Sequence, residues 1–295
     1  MLSFPVHVPI LQCGADGFAK ISVDIVEELS KQKIRAARVT ISDDISEEAV
    51  VRLLLDHELI LLENDGSTHS SLPIISQLID VIGEPDPHDA NYSRKAVGRI
   101  AVWLAERRLQ TPVFGAVLIG GKSSRMGHPK HLIRGEEGRS WLEHLVCLFD
   151  PFVTRQVVSG VGELPGSMQQ IDRVDDVDGV EGPLAGIGAL LRSRPFISWL
   201  VCACDMPHIT PAAIEWLLDQ RGRACAAVIP ENPETGRSEP LFAWYDYRCG
   251  PLVDDLVASG SRRISDLCCR PAIFQPGIPQ SLVPCWRNLN YPDQL

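Results

Sequence analysis

The chain has 295 residues, 45% of them hydrophobic and 22% charged, with a formal net charge of −10. That length supports one or two domains with a sizeable core, and the acidic balance argues against broad nucleic-acid binding and against an anionic membrane surface. No apolar run approaches the about 18 residues that span a bilayer, so a cytoplasmic protein with no membrane or nucleic-acid partner is expected.

In chain order, two segments are expected, an N-terminal α/β accessory domain at 1–110 and a second domain at 111–295. In the first, Val8 to Gln12 reads as a strand, Ile21 to Gln32 as an amphipathic helix and Ala36 to Ile41 as a second strand. Glu47 to Asp56 looks helical, and Glu58 to Leu62 is a third, apolar strand. Gly83 to Ser93 is a loop by its Pro, Gly, Asp and Asn content. Arg94 to Arg108 then has helical spacing, which Thr111-Pro112 ends. The second segment alternates. Strands are expected at Phe114–Ile119, Gln156–Val158, Ile197–Cys202 and Ala224–Ile229, with helices at Trp141–Leu148, Ala185–Leu191 and Pro211–Gln220. Alternation at this spacing implies a mostly parallel sheet with helices on both faces, whose ligands sit at the carboxyl ends of the strands. The loops after Ile119 and after Cys204 should hold the chemistry.

Nine Cys are present, an odd number with no secretory signal before them. Cys202-Ala203-Cys204 and Cys268-Cys269 are too close for ordinary zinc knuckles and lack His partners at ligand spacing. The cysteines as a set read as small, mostly buried side chains in a reducing compartment, with a structural metal as the alternative.

The stretch "AVLIGGKSSRMGHPK", Ala116 to Lys130, contains the Gly-Lys-Ser ending of a P-loop, but the first P-loop glycine would fall on Ala116, inside a strand. The P-loop reading therefore fails on geometry. What remains is an apolar strand, the Gly120-Gly121 pair and a polar loop with Arg125, Gly127 and Lys130. Paired glycines let the backbone approach a ligand, successive N–H groups form a nest for phosphate oxygens, and Arg and Lys add positive charge. A plain strand–turn–helix connection with solvated basic residues is the alternative for the Gly pair taken alone.

Downstream, Val174 to Leu191 is a carboxylate-rich turn, then Gly182-Pro183, then a helix start of small residues that would admit a ligand close to the backbone N–H groups. An acidic solvated loop before a packed helix is equally consistent with it. Trp199 to Ile209 is an apolar strand ending in Asp205, suited to holding Mg²⁺ against phosphate oxygens. Asp205 could instead cap a helix, but Thr210-Pro211 already makes a good N-cap and N1 pair.

Taken in order, these segments resemble the molybdenum cofactor guanylyltransferases. "LIGGKSSRMGHPK" is similar to the family's L-x-G-G-x-S-x-R-M-G-x-x-K loop, and "CDMP" to its C-D-x-P motif, whose Asp binds magnesium. "VDDVDGVEGPLAGI" is similar to its D-x(n)-G-P-L-x-G-I segment and "SEPLFAWY" to its E/H-P-L-x-A segment. "SGSRRISDL" is similar to its G-x-R-R/S helix segment, and "RNLNYPDQL" to its closing N-x-N-T-P motif, with Tyr291 in place of Thr. The match runs from 113 to 295.

The resemblance implies a Rossmann-like catalytic domain of the nucleotide-diphospho-sugar transferase type and Mg²⁺ as cofactor. It implies GTP and molybdopterin or molybdenum-molybdopterin as substrates, and other molybdenum cofactor proteins as partners. Leu118, Ile119, Gly120, Gly121, Lys130, Asp175, Gly182, Pro183 and Asp205 would bind the nucleotide. Arg125, Lys130 and Asp205 would be catalytic, Asp205 would hold the metal, and Asn288 and Asn290 would complete a metal or phosphate shell. Lys130, not Lys122, becomes the phosphate-facing lysine. Counting back from Gly182-Pro183-Leu184 selects Asp175, with Asp176 and Asp178 close behind. The segment "VVSGVGELPG" lacks the Asn expected after the second strand, and His128 and His131 read as loop or surface residues. The alternatives are a CTP-dependent or sugar-phosphate nucleotidyltransferase of the same fold, or a non-catalytic nucleotide-binding regulator.

In the first segment, "ILQCGADGFAKIS" has a P-loop outline, with Ala19 in place of the second Gly and the hydroxyl shifted by one. With "HELILLENDGSTHSSLPII" it resembles a shortened molybdopterin-guanine dinucleotide adaptor GTPase that has lost hydrolysis. An unrelated small α/β domain is the alternative.

Overall fold

In the computed structural model, apolar side chains of the central strands alternate between two cores, one on each face of a seven-stranded sheet. The structure describes residues 10–13, 18–31, 36–40, 59–63, 89, 91–120, 129–135, 138–177, 179–194, 197–222 and 225–289. The expected helix at Glu47–Asp56, the Gly83–Ser93 loop apart from Asp89 and Asn91–Ser93, and Gly121, Lys122, Arg125, His128, Asp178 and Asn290 lie outside them, and Tyr92 and Ser93 belong to a helix rather than to the expected loop. The chain divides into two compact units, Val6–Gln110 and Thr111–Leu295.

The first unit contains β1 (Ile10–Cys13), β2 (Ala36–Thr40) and β3 (Leu59–Glu63), all parallel in the order β1-β3-β2. Two helices, α1 (Phe18–Lys31) and α2 (Tyr92–Gln110), pack on each other. Ile25 and Leu29 are buried on α1, four residues apart, as are Ala96 and Ile100 on α2, which puts each pair on one helix face. The turn at Gly14, on which the adaptor-GTPase resemblance depends, lies outside the described residues.

In the second unit, β4 (Val113–Leu118), β5 (Arg155–Ser159), β6 (Asp172–Val174) and β7 (Ser198–Ala203) run parallel to one another. β8 (Ala227–Val228), β11 (Phe242–Tyr245) and β12 (Ile273–Phe274) complete the sheet in the order β12-β8-β11-β7-β4-β5-β6. β11 runs antiparallel to both its neighbours, an element the parallel alternation does not foretell. A separate hairpin pairs β9 (Glu231–Asn232) with β10 (Arg237–Ser238). The sheet is mostly parallel and Rossmann-like.

The period of two shows in β7. Leu200 and Cys202 enter one core, Trp199 and Val201 the other, and the whole strand is buried. The first core is covered by α3 (Trp141–Phe149) and α5 (Pro211–Asp219), the second by α4 (Pro183–Ser193) and α6 (Gly250–Ala258). Ser140 caps α3 and Thr210 caps α5, each accepting from the third backbone N–H along. Where the sequence resemblance implies a helix at Ser259–Leu267, α6 has already ended at Ala258, and Ile264–Cys269 forms a 3₁₀ stretch. Gly260, at φ +78°, lies in the region that favours glycine and ends the helix.

β4 is the switch point of the sheet. From it the chain moves to β5 on one side, and later returns to β7 on the other. Crevices open at the carboxyl ends of strands at such a point.

Candidate functional site

A cavity of about 300 Å³ opens at those carboxyl ends. Its floor begins where β4 stops. Ile119 N–H still donates to Ser159 O at 2.8 Å, and the chain then turns at Gly120, whose φ of +119° favours glycine. The chain is next described at Pro129, leading into a 3₁₀ turn over Lys130–Leu132.

Lys130 Nζ lies 2.9 Å from Asp205 Oδ2, and both side chains are mostly buried. Asp205 follows β7 and is held through its backbone. Cys204 N–H donates to Leu118 O at 3.0 Å, and Leu289 N–H donates to Asp205 O at 2.9 Å. The second bond brings the C-terminal segment, including half-buried Asn288, up to the site. Asp205 Oδ1 is buried with no hydrogen-bond partner. A buried carboxylate oxygen left without a partner is costly, and a cation or ligand donor would satisfy it. That oxygen fits Mg²⁺, which takes one or two protein carboxylates and completes its shell with water and substrate phosphates. Among the described residues no group of three or more His, Cys, Asp or Glu is placed to hold a metal without such help.

The opposite wall comes from β5, the segment after β6, and the start of α4. Ser159, at the end of β5, is buried, and its Oγ has no partner. Asp176 lines the cavity, and its carboxyl is raised above the usual range, first by burial and then by the negative charge of Asp175. Asp175 itself is 83% exposed and faces Arg173 at 4.0 Å. Residue counting selects Asp175; the structure instead places Asp176 on the cavity wall, still partly open to solvent, in a segment where Val177 N–H donates to Ala185 O.

Gly182, at φ +73°, is the N-cap of α4 and offers no side-chain cap, and Pro183 occupies the first turn. Both line the cavity, so the positive end of the helix dipole opens onto it. Gly186 lines it one turn later. A Cβ there would meet Ser159 Oγ at 3.1 Å, Leu118 Cδ2 at 3.2 Å and Asp176 Oδ1 at 3.3 Å.

The structure thus brings Leu118, Ile119, Gly120, Lys130, Gly182, Pro183 and Asp205 around one cavity and leaves Asp175 outside it. It adds Ser159, Asp176, Gly186, Ala203, Cys204 and Leu241. Leu241 comes from the "SEPLFAWY" segment, registered on β7 when Ala203 N–H donates to Leu241 O at 2.8 Å. The Cys204 thiol is pushed up to about 12, chiefly by burial and then by Asp205, so it stays a neutral wall atom at physiological pH. His131 is buried rather than on the surface, with Nε2 2.8 Å from Glu163 O.

Comparison with known proteins adds to this geometry. Residues 115–270 match a family model described as the MobA-like NTP transferase domain. A protein of Synechocystis sp. named as a molybdenum cofactor biosynthesis bifunctional protein is 33% identical over 141 residues, 46% of this chain and 40% of its own length. A probable molybdenum cofactor guanylyltransferase of Bacillus mycoides is 30% identical over 158 residues, covering 52% of this chain and 78% of its own. Among solved structures, molybdopterin-guanine dinucleotide biosynthesis protein A from Archaeoglobus fulgidus superposes with a TM-score of 0.51 at 27% identity. That alignment covers 61% of this chain and 93% of the other. The chain therefore spans well under half of the Synechocystis protein but most of the other two.

Proposed function

The chain belongs to the family of MobA-like NTP transferase domains, and from that premise we propose that it transfers GMP from GTP to the terminal phosphate of molybdopterin, with or without molybdenum, releasing pyrophosphate. A phosphate oxygen of the acceptor forms a new bond to the α-phosphorus of GTP. The bond between that phosphorus and the oxygen bridging to the β-phosphate breaks, and the electron pair leaves with pyrophosphate. The acceptor phosphate is already ionised near neutral pH, since its second pKa is about 6, so no general base is needed. Among the described residues that line the cavity, none is hydrogen-bonded to another as nucleophile and base, which fits this chemistry.

The barrier is repulsion between two anions and charge on the leaving group. Lys130 supplies a cation at the cavity floor, and the start of α4 adds the positive end of its dipole. Asp205 would hold Mg²⁺ through its unpaired Oδ1. An ion held there would supply positive charge against the triphosphate and the leaving pyrophosphate. Ser159 and Asp176 offer a hydroxyl and a carboxylate to the sugar or base. The observation that carries the reading is the Lys130–Asp205 pair at the carboxyl end of β7 with one Asp205 oxygen left over.

The test is pyrophosphate release by the full chain with Mg²⁺, molybdopterin and GTP, CTP, ATP or UTP in turn. Release with GTP alone is expected. No release with any nucleotide, in protein shown to be folded, overturns the reading, and release with CTP alone overturns the choice of base. Asp205→Asn should lower turnover by about 10²-fold, and full turnover by that variant removes the metal role.

A further inference from the structure

The segment from Ser159 to Glu163 is tied down at four of its five carbonyls. Ser159 O accepts from Ile119 N–H at 2.8 Å, and Gly160 O accepts from Arg173 Nε at 2.9 Å. Gly162 O accepts from Arg173 Nη2 at 2.8 Å, and Glu163 O accepts from His131 Nε2 at 2.8 Å. The glycines are required. Gly160 sits at φ +106°, and a Cβ on it would lie 2.0 Å from Ile119 O. A Cβ on Gly162 would lie 2.9 Å from His131 Cε1, so the imidazole occupies the space a side chain would need. The segment is therefore a fixed abutment, joined to the ends of β4 and β5 and to β6.

His131 is the link in this set that belongs to the turn carrying Lys130. That turn is three residues of 3₁₀ helix whose N-cap, Pro129, makes no side-chain capping bond. So short a turn has little stability of its own. On its C-terminal side, Trp141 N–H donates to Ile133 O at 2.8 Å. On the cavity side, Lys130 Nζ is bonded to Asp205 Oδ2 at 2.9 Å, and His131 ties the backbone of the turn through Nε2, necessarily as a donor, because a carbonyl can only accept.

We infer that His131 is a positioning residue for Lys130: by donating from Nε2 to Glu163 O, it fixes the Lys130 turn against the segment after β5 and sets where the ammonium sits over the cavity. The inference rests on the reading of Lys130 as the phosphate-facing lysine. Its consequence is a division of labour in which Lys130 touches the nucleotide and His131 never does.

Two variants separate the donor from the ring. His131→Phe keeps an aromatic ring and loses the N–H, whereas His131→Gln keeps a donor. The first readout needs no substrate: the rate of Lys130 acetylation in the nucleotide-free protein, mapped by mass spectrometry. The second is the affinity for a fluorescent GTP analogue with Mg²⁺, in the Lys130 and Lys130→Ala backgrounds. His131→Phe should raise Lys130 acetylation about tenfold and weaken the analogue about tenfold, with His131→Gln near the original values and no further loss in the Lys130→Ala background. Unchanged acetylation in folded His131→Phe overturns the inference, as does an equal loss of affinity in both backgrounds. If the unsubstituted protein binds no nucleotide, the functional reading fails, and a faster acetylation of Lys130 in His131→Phe still supports the positioning role.

Discussion

Gly186 has no side chain because three groups already crowd the place where one would go. Ser159 Oγ, Leu118 Cδ2 and Asp176 Oδ1 lie 3.1 to 3.3 Å from its ideal Cβ. Two of them are polar groups on the cavity wall, and Ser159 Oγ is held by no hydrogen bond. In Gly186→Ala they would give way by rotating toward the cavity. Alanine in a helix interior is favoured over glycine by about 1 kcal/mol, which offsets the crowding. The expected outcome separates stability from function: a thermal midpoint equal to or above the original, with GTP binding about tenfold weaker. Calorimetry and a binding titration check it, and an unchanged affinity would remove this wall from nucleotide contact. None of this was legible along the chain, where Gly186 is one small residue among several in "PLAGIGALL".

The elements were more legible than the walls. α3 was expected from Trp141 and begins there, because Ser140 and Glu143 form a capping box around its first turn. Glu143 is lowered from 4.5 to about 2, first by the Ser167 hydroxyl, then by the Ser140 backbone N–H and the Ser140 hydroxyl. A carboxylate whose folded value is depressed contributes stability above its unfolded value and loses it as pH falls through the folded one. Glu143→Ala should therefore cost about 1 kcal/mol at pH 7, and the difference should shrink between about 4.5 and about 2. Urea titrations of both proteins at pH 7 and pH 3.5 measure this, and a difference that does not change with pH would break the assignment.

The sequence pattern does not mark β11 as a strand. β11 is four residues, Phe242 to Tyr245, buried on both faces, so no polar alternation marks it. Its antiparallel direction is set by pairing with β7, some forty residues earlier in the chain.

Across the molecule, the C-terminal segment closes the first core. Trp286 is buried, packs edge-on to Trp216 at 5.6 Å and close to Phe242 at 4.7 Å, and donates from Nε1 to Phe242 O at 2.9 Å. Three residues later, Leu289 N–H reaches Asp205 O. Trp286→Ala should cost about 3–5 kcal/mol and lower turnover more than a surface substitution of equal destabilisation, because the Asp205 backbone loses its brace. Urea midpoints paired with pyrophosphate release at low temperature distinguish the two effects, and turnover that tracks stability alone would make Trp286 a packing residue only.

By itself, the sequence determined the parallel alternation, the glycine turn after β4 and the chemistry of the motif residues. Each of these is written in neighbours a few positions apart: side-chain period, turn formers and spaced charges. The tertiary structure alone decided that Lys130 meets Asp205, 75 residues away, and that Asp176 rather than Asp175 lines the cavity. It alone buried His131 against Gly162 and left the Ser159 hydroxyl without a partner inside the cavity. Those outcomes depend on which distant backbone groups exchange hydrogen bonds and which side chains compete for the same space, and both are fixed only when the sheet brings the ends of its strands together.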